Sequence, residues 1–250
     1  MMARIVGIIP ARYASKRLPG KMLLDLAGKP LIVHTYERAR AAKRLDRVIV
    51  ATDDERIVEA VTRAGGEAVM TSADHRSGSD RIAEVASGLE CDIVVNVQGD
   101  EALSGPAVVD EAARLLLEHP DADMGTVACP IRTRQEYVDR SVVKVVLGLG
   151  GAALYFSRGP IPHSKSGRFG IRLDALRHIG IYSFRRDFLI EFASLPPTPL
   201  EQAEDLEQLR ALEHGHRIVV GVVEAHTNLK IDTPEDMERA RGLLCRSTSS

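Results

Sequence analysis

Short apolar runs alternate with longer stretches of helical spacing through the first half of the chain. Ile5-Val6-Gly7-Ile8-Ile9 is brief, rich in β-branched residues and ended by Pro10, the pattern of a buried strand. Residues 47–52, 67–70 and 92–97 repeat that pattern. Between these runs, residues 31–42 have helical spacing, with Pro30 suited to a first helical position. Ile57, Val58, Val61 and Ala64 share a second helical face, closed by Gly65-Gly66 as a C-cap signal. Further helices are predicted at 79–87, with Ser79 as N-cap, and at 106–118. Strand–helix alternation of this kind predicts an α/β fold, a mostly parallel sheet with helices on both faces.

The second half changes character. No element is read between 118 and 142. Strands at 142–147 and 152–157 are joined by Gly148-Leu149-Gly150-Gly151, a glycine-rich hairpin turn. A polar, irregular stretch at 159–172 leads to a strand at 178–184 and a helix at 187–194. Pro196-Pro197-Thr198-Pro199 breaks the chain before an amphipathic helix at 200–214, and a last strand follows at 217–223. Thr233 caps a final helix, with Pro234 in its first position and Glu235 and Asp236 in its first turn. Residues 1–250 are expected to form one domain. Within it, 130–195 reads as an insertion carrying the hairpin, covering the ligand edge of the sheet and pairing subunits. Residues 246–250 read as a disordered tail. No internal repeat is visible.

Composition narrows the function. A chain of 250 residues can bury a continuous core, and a net charge of −2 gives no support for bulk nucleic-acid or membrane binding. Cys91, Cys129 and Cys245 are scattered and form no CxxC pair, which points away from a disulfide framework or structural zinc and toward a reducing compartment. Met1-Met2-Ala3-Arg4 leads straight into the first strand, and no apolar run reaches membrane-spanning length, so a cytoplasmic location is expected.

The charge is placed unevenly. Arg12, Lys16, Arg17 and Lys21 put four cations in ten residues directly after the first strand. In open α/β sheets ligands bind beyond the carboxyl ends of the strands, and Ala11, Ala14 and Gly20 allow close backbone approach, so this loop reads as a polyphosphate site. Asp100 leaves a buried strand through Gln98-Gly99, which aims it at the same cleft; Asp232 immediately precedes the cap of the last helix. Magnesium takes one or two carboxylates with phosphates and water, which suits this pair, although an acid before a helix is equally a dipole partner. Ser77-Gly78-Ser79-Asp80-Arg81 offers hydroxyls, backbone donors and an arginine for a base or phosphate, or plain capping chemistry. His178 and Tyr182 point to one face of their strand, as a buried pair or as substrate contacts. Glu204, Asp205, Glu207 and Gln208 fit a solvated helix face, and His214-Gly215-His216 a surface turn. GxxxxGK[ST], GxGxxG after the first strand and GxSxG are all absent, which excludes P-loop, dinucleotide-binding and nucleophile-elbow readings.

Taken together, IIPARYASKRLPGK (8–21), GKP (28–30), ATDDE (51–55), TSADHRSGSDR (71–81), VNVQGDE (95–101), ALYFSR (153–158), RHIGIYSF (177–184), PLEQAEDLEQLR (199–210) and IDTPEDME (231–238) resemble the 3-deoxy-D-manno-octulosonate (Kdo) cytidylyltransferase family, the CMP-Kdo synthetases, in order and over nearly the whole chain. The resemblance implies a Rossmann-like, three-layer α/β/α nucleotidyltransferase of glycosyltransferase-A-like architecture. It implies the reaction of CTP with Kdo to give CMP-Kdo and diphosphate, for lipopolysaccharide synthesis, with Mg2+ and as a homodimer. By the same resemblance Ala11, Arg12, Ser15 and Lys21 hold the triphosphate; Ala73, Ser77, Gly78 and Arg81 belong to the loop for cytosine and phosphate. Asp100 and Asp232 carry the metal, with Lys21 and Arg12 joining them in catalysis, while Gln98, Arg158, His178, Tyr182, Glu207 and Gln208 line the acidic-sugar pocket. Three positions depart from the family pattern: Ala102 in place of proline, Ser79-Asp80 in place of Thr-Glu, and Pro162-His163 after ALYFSR. The alternatives are the same fold acting on 8-amino Kdo or sialic acid, and a non-catalytic nucleotide sensor, which predicts loss of Lys21, Asp100 or Asp232; all three are present.

Overall fold

All seven residues of the first strand, β1 (Ile5–Ala11), are buried, which requires a paired strand on each side and cover on each face. The structure, a computed structural model, describes residues 3–15, 18–165, 175–224 and 231–247, the side chains of 245–247 aside. After β1 come a 3-10 turn at Lys21–Leu23 and a ribbon of β2 (Asp25–Leu26) with β3 (Lys29–Pro30). Then follow α1 (Leu31–Arg40), β4 (Arg47–Thr52), α2 (Glu55–Arg63), β5 (Ala68–Met70), α3 (Gly78–Ser87), β6 (Ile93–Asn96) and α4 (Pro106–Glu118). The second half comprises β7 (Met124–Pro130), α5 (Arg134–Val138), β8 (Lys144–Leu147), β9 (Ala153–Ser157), β10 (Leu176–Arg185), α6 (Arg186–Ser194), α7 (Pro199–Glu204), α8 (Gln208–Glu213), β11 (Ile218–Val222) and α9 (Pro234–Ser247).

The strands form one mixed sheet in the order β11-β7-β10-β6-β1-β4-β5, with β8 and β9 attached to β10. β1 is parallel to β4 and β6, β4 to β5, and β11 to β7; β10 runs antiparallel to both of its neighbours. Alternate residues of the strands enter two separate cores. Ile5, Ile9, Val48, Val50, Ile93 and Val95 pack with α1, α2, α4 and α9. Val6, Ile8, Ile49, Ala51 and Val94 pack with Ile82, Phe188, Phe192 and Leu209 from α3, α6 and α8. This is the expected three-layer α/β/α arrangement, with period-2 alternation serving two apolar faces instead of one.

Several expectations need correction. β1 runs through Pro10 to Ala11; its β6 ladder already ends at Ile8, so the missing N–H falls where no ladder bond is needed on that side. The cap of α3 is Ser77, which accepts from the Asp80 N–H while Asp80 accepts from the Ser77 N–H, so the helix starts earlier than read and Ser79 is released for other work. The predicted helix at 200–214 is two helices. Asp205 lies between them at φ 52, and the carbonyls of Glu204 and Asp205 accept from Arg158 (2.6 and 3.0 Å), which draws both out of the helical ladder. β7 and α5 lie where no element was read. β10 and α6, inside the stretch assigned to an insertion, are part of the main body: β10 sits between β6 and β7. The last helix runs two residues into the expected tail, and 248–250 lie outside the described residues, as do Lys16 and Arg17 of the basic loop.

Candidate functional site

The parallel strands β1, β4 and β6 end on the same edge of the sheet, and a cleft of about 400 Å³ opens there. Ala11, Arg12 and Ser15 enter it from the end of β1. Gln98, Gly99 and Asp100 enter from the end of β6, and His75, Arg76, Ser77, Gly78 and Arg81 from the loop and first turn of α3; Lys21, Met22 and Asp232 complete the lining. Ten of the sixteen site residues expected from the sequence, Ala11, Arg12, Ser15, Lys21, Ser77, Gly78, Arg81, Gln98, Asp100 and Asp232, therefore share one cleft. His75 and Arg76 were not singled out in the sequence. Their signal was a second pair of basic residues directly before the Ser-Gly cap of α3.

Close backbone packing aims Asp100. A Cβ on Gly99 would stand 2.9 Å from Pro10 O and 3.0 Å from Met22 Cε, so only glycine lets the turn pass this near to β1. The Thr35 hydroxyl on α1 donates to Gly99 O (2.8 Å) and holds the turn from behind. Asp232 arrives from the far end of the chain. Ile231 N donates to Asp100 O (3.3 Å), and the cap of α9 is made by Thr233 and Asp236, which leaves the Asp232 carboxylate to face the cleft. The Lys21 ammonium, 6% exposed, donates to Asp100 Oδ2 (2.9 Å) and Asp232 Oδ1 (3.0 Å). Two carboxylates separated by 132 positions thus converge on one point that holds a cation. They are hard oxygen donors, and among the described residues no group of three or more His, Cys, Asp or Glu could hold a metal. The pair therefore suits a cation that takes its remaining oxygens from a substrate or water, as magnesium does.

Arg81 lines the cleft but commits its guanidinium to the protein. It donates to Thr71 Oγ1 and, at 2.8 Å, to Asp53 Oδ2. Ala73 is exposed on the loop outside the cleft lining.

The other five expected residues also lie outside that lining. Four of them form a polar group between β10, α3 and α8. Ser79 Oγ donates to Glu207 Oε2 (2.6 Å), Tyr182 OH donates to Gln208 Oε1 (3.1 Å), and the rings of His178 and Tyr182 are 5.2 Å apart. Their proximity rests on a bulge in β10 between Ile179 and Tyr182. Thr126 on β7 fills it: Oγ1 lies 2.8 Å from Ile181 O and 2.9 Å from His178 Nε2. The hydroxyl has one proton and the carbonyl only accepts, so both contacts are satisfied when Thr126 donates to Ile181 and a neutral His178 donates to Thr126. Burial holds the His178 imidazole down to about 3 against a weaker opposing pull from Glu101, raises the Tyr182 phenol well above its ordinary value, and raises the Glu207 carboxyl despite the Ser79 bond. Of Glu207 and Gln208, both read as helix surface from spacing alone, Gln208 is buried and Glu207 half-buried in this group, and Gln208 Nε2 has no protein partner among the described residues. The fifth, Arg158, is held by the carbonyls of Arg140, Glu204 and Asp205.

Comparison with known proteins follows the same lines. The cytidylyltransferase family matches residues 6–218. A 3-deoxy-manno-octulosonate cytidylyltransferase of Geobacter sulfurreducens is 53% identical over 94% of this chain and 97% of its own length. One from Solibacter usitatus is 48% identical over 98% and 96%. Among solved structures, a CMP:2-keto-3-deoxy-manno-octonic acid synthetase complexed with CTP superimposes with a TM-score of 0.93 at 42% identity, covering 98% of this chain and all of that one. A 4-diphosphocytidyl-2C-methyl-D-erythritol synthase from Anaerococcus prevotii shares the fold (TM-score 0.63, 16% identity). With relatives this similar along nearly its full length, the chain belongs to the cytidylyltransferase family, among its 3-deoxy-manno-octulosonate cytidylyltransferases.

Proposed function

We propose that this chain is the cytidylyltransferase that activates Kdo: CTP and Kdo give CMP-Kdo and diphosphate by in-line attack of the anomeric hydroxyl on the α-phosphorus. The reading rests most on the convergence of Lys21, Asp100 and Asp232 in a cleft also lined by Arg12, His75 and Arg76. Phosphoryl transfer is mainly a matter of positioning and of charge stabilisation in the transition state. Arg12, Ser15 and the backbone beyond Ala11 would take the triphosphate, and the N-terminus of α3 at Ser77-Gly78 the nucleoside side. Lys21 would follow the charge that accumulates on departing diphosphate. Mg2+ held by Asp100 and Asp232 would supply a Lewis acid for the phosphate oxygens.

The acidic sugar would sit toward Gln98 and the group of His178, Tyr182, Glu207 and Gln208. The buried amide nitrogen of Gln208, which has no partner among the described residues, favours a polar ligand there, because an unmet buried donor costs on the order of 1–3 kcal/mol. Arg158 is assigned to the same side by the family resemblance. We also place the protein in the cytoplasm, in keeping with the free thiols of Cys91 and Cys129; among the described residues no helix is long and apolar enough to cross a membrane. Homodimerisation through the β8–β9 hairpin belongs to the same proposal.

Diphosphate release tests the reading. Wild-type protein is expected to turn over CTP with Kdo and Mg2+, to stop when the metal is chelated, and to lose at least about 100-fold as Asp100→Asn, the scale of a removed transition-state charge contact. Turnover with sialic acid or 8-amino Kdo in place of Kdo would move the specificity; folded protein silent with every pair of substrates would point to a sensor.

A further inference from the structure

Asp53, at the carboxyl end of β4, is assigned no role by the chemistry above, yet its carboxylate is shared between the two halves of the cleft. Oδ2 accepts from Arg81 Nη2 at 2.8 Å, and Oδ1 accepts from the main-chain N–H of Tyr13 at 3.3 Å. Arg81 belongs to the first turn of α3, whose N-terminus forms one wall; Tyr13 opens the basic loop that forms the other. Both side chains of the ion pair are nearly enclosed, at 4% and 15% exposure, so water screens the pair little.

Tyr13 is held on its remaining sides as well. Its carbonyl accepts from Gly20 N (3.2 Å), closing the basic loop on itself. The Arg56 guanidinium covers its ring at 3.6 Å and is itself fixed by Asp54, through Nε at 2.9 Å and Nη2 at 2.6 Å. Asp53 thus holds Tyr13 by its backbone while Asp54 fixes the arginine that covers its ring, and Asp53 also reaches across to α3.

We infer that Asp53 is a positioning residue for nucleotide binding: by bonding to Arg81 and Tyr13 at once, it sets the spacing between the triphosphate loop and the N-terminus of α3. The inference rests on the nucleotide reading of this cleft. A ligand that spans both walls gains from their preset spacing, because the ordering has been done before it arrives.

The experiment is calorimetric titration of CTP, without the sugar acid, into wild type, Asp53→Asn, Arg81→Gln and the double variant. Asp46→Asn serves as the structural control. It removes a carboxylate-to-main-chain bond of the same kind (Asp46 Oδ2 to Ile5 N, 2.7 Å) at the opposite end of β4. Asp53→Asn is expected to weaken CTP binding by roughly 10–100-fold, and the double variant to be no weaker than the weaker single one. In turnover, KM for CTP should rise while KM for the sugar acid stays level. Should Asp53→Asn not fold, Asp53→Glu keeps the charge, moves it by one bond, and carries the same expectation. Unchanged CTP affinity in Asp53→Asn, a loss no larger than that of Asp46→Asn, or additive losses in the double variant would overturn the positioning role alone. Wild type that takes up no CTP would overturn the nucleotide reading and this role with it.

Discussion

His178 shows how one residue can be legible as a candidate and illegible in its behaviour. Spacing on a strand places it beside Tyr182, but its titration follows from burial, which distant segments supply, against a weaker pull from Glu101. Its imidazole is held near 3 in the folded protein, against about 6.5 in an unfolded chain. Between those values the unfolded chain binds a proton that the folded one refuses. The contribution is therefore intact above pH 6.5 and is lost as pH falls, by at most about 1.4 kcal/mol per pH unit. Thermal unfolding should fall more steeply between pH 6.5 and 5 in wild type than in His178→Gln. Parallel slopes would show that His178 does not carry this dependence. Lys21 makes a related point: as one of four loop cations it reads as a phosphate contact, and only its 2.9 and 3.0 Å bonds reveal it as the counter-charge of two acids.

At the scale of elements, the exit from β6 decides where the chemistry can stand. Gly99 has no unusual backbone angle to justify it; the reason is Pro10 O, 2.9 Å from where a Cβ would lie. Met22 could swing aside, but the β1 backbone could not without moving Ala11 and Arg12. Gly99→Ala should therefore cost about 1–3 kcal/mol of stability and at least ten-fold in turnover. Gly105→Ala, with nothing within 4 Å of its new methyl group, should be near neutral on both. Equal effects, read by urea unfolding and diphosphate release, would show that space at Gly99 is not what matters. The element boundaries that local pattern missed have similar causes. The break at Asp205 follows from Arg158 taking two carbonyls, and α3 starts after Ser77 because Ser77 and Asp80 cap each other, which frees Ser79 for Glu207.

For the whole molecule, β10 is the strand that makes one body of two halves. It is antiparallel between β6 and β7, and it carries β8 on the end that runs past β6. The hairpin it holds leaves Leu149 fully exposed and Leu154 65% exposed, next to an outer strand, β9, with β8 as its only ladder partner among the described strands. Exposed leucines on such a hairpin favour association over solvation. On the proposed dimer, sedimentation should give twice the 27.3 kDa chain mass, and Leu154→Lys should shift it to one. A wild-type monomer at micromolar concentration would remove the hairpin's assigned role.

Periodicity by itself determined the alternation of strands and helices, the burial of β1, β4 and β6 on both faces, and the basic loop at the end of the first strand. These are local properties, carried by neighbours two to four positions apart, and the chain states them directly. The family motifs extended this to a place, since ten residues named from them line one cleft. What only tertiary structure decided was pairing at a distance. It brought Asp232 to Asp100, placed β10 between β6 and β7, recruited β7 where no strand was read, and bonded Glu207 to Ser79 and the buried Gln208 to Tyr182. Each depends on which distant segment fills a given space, and no local pattern records that choice.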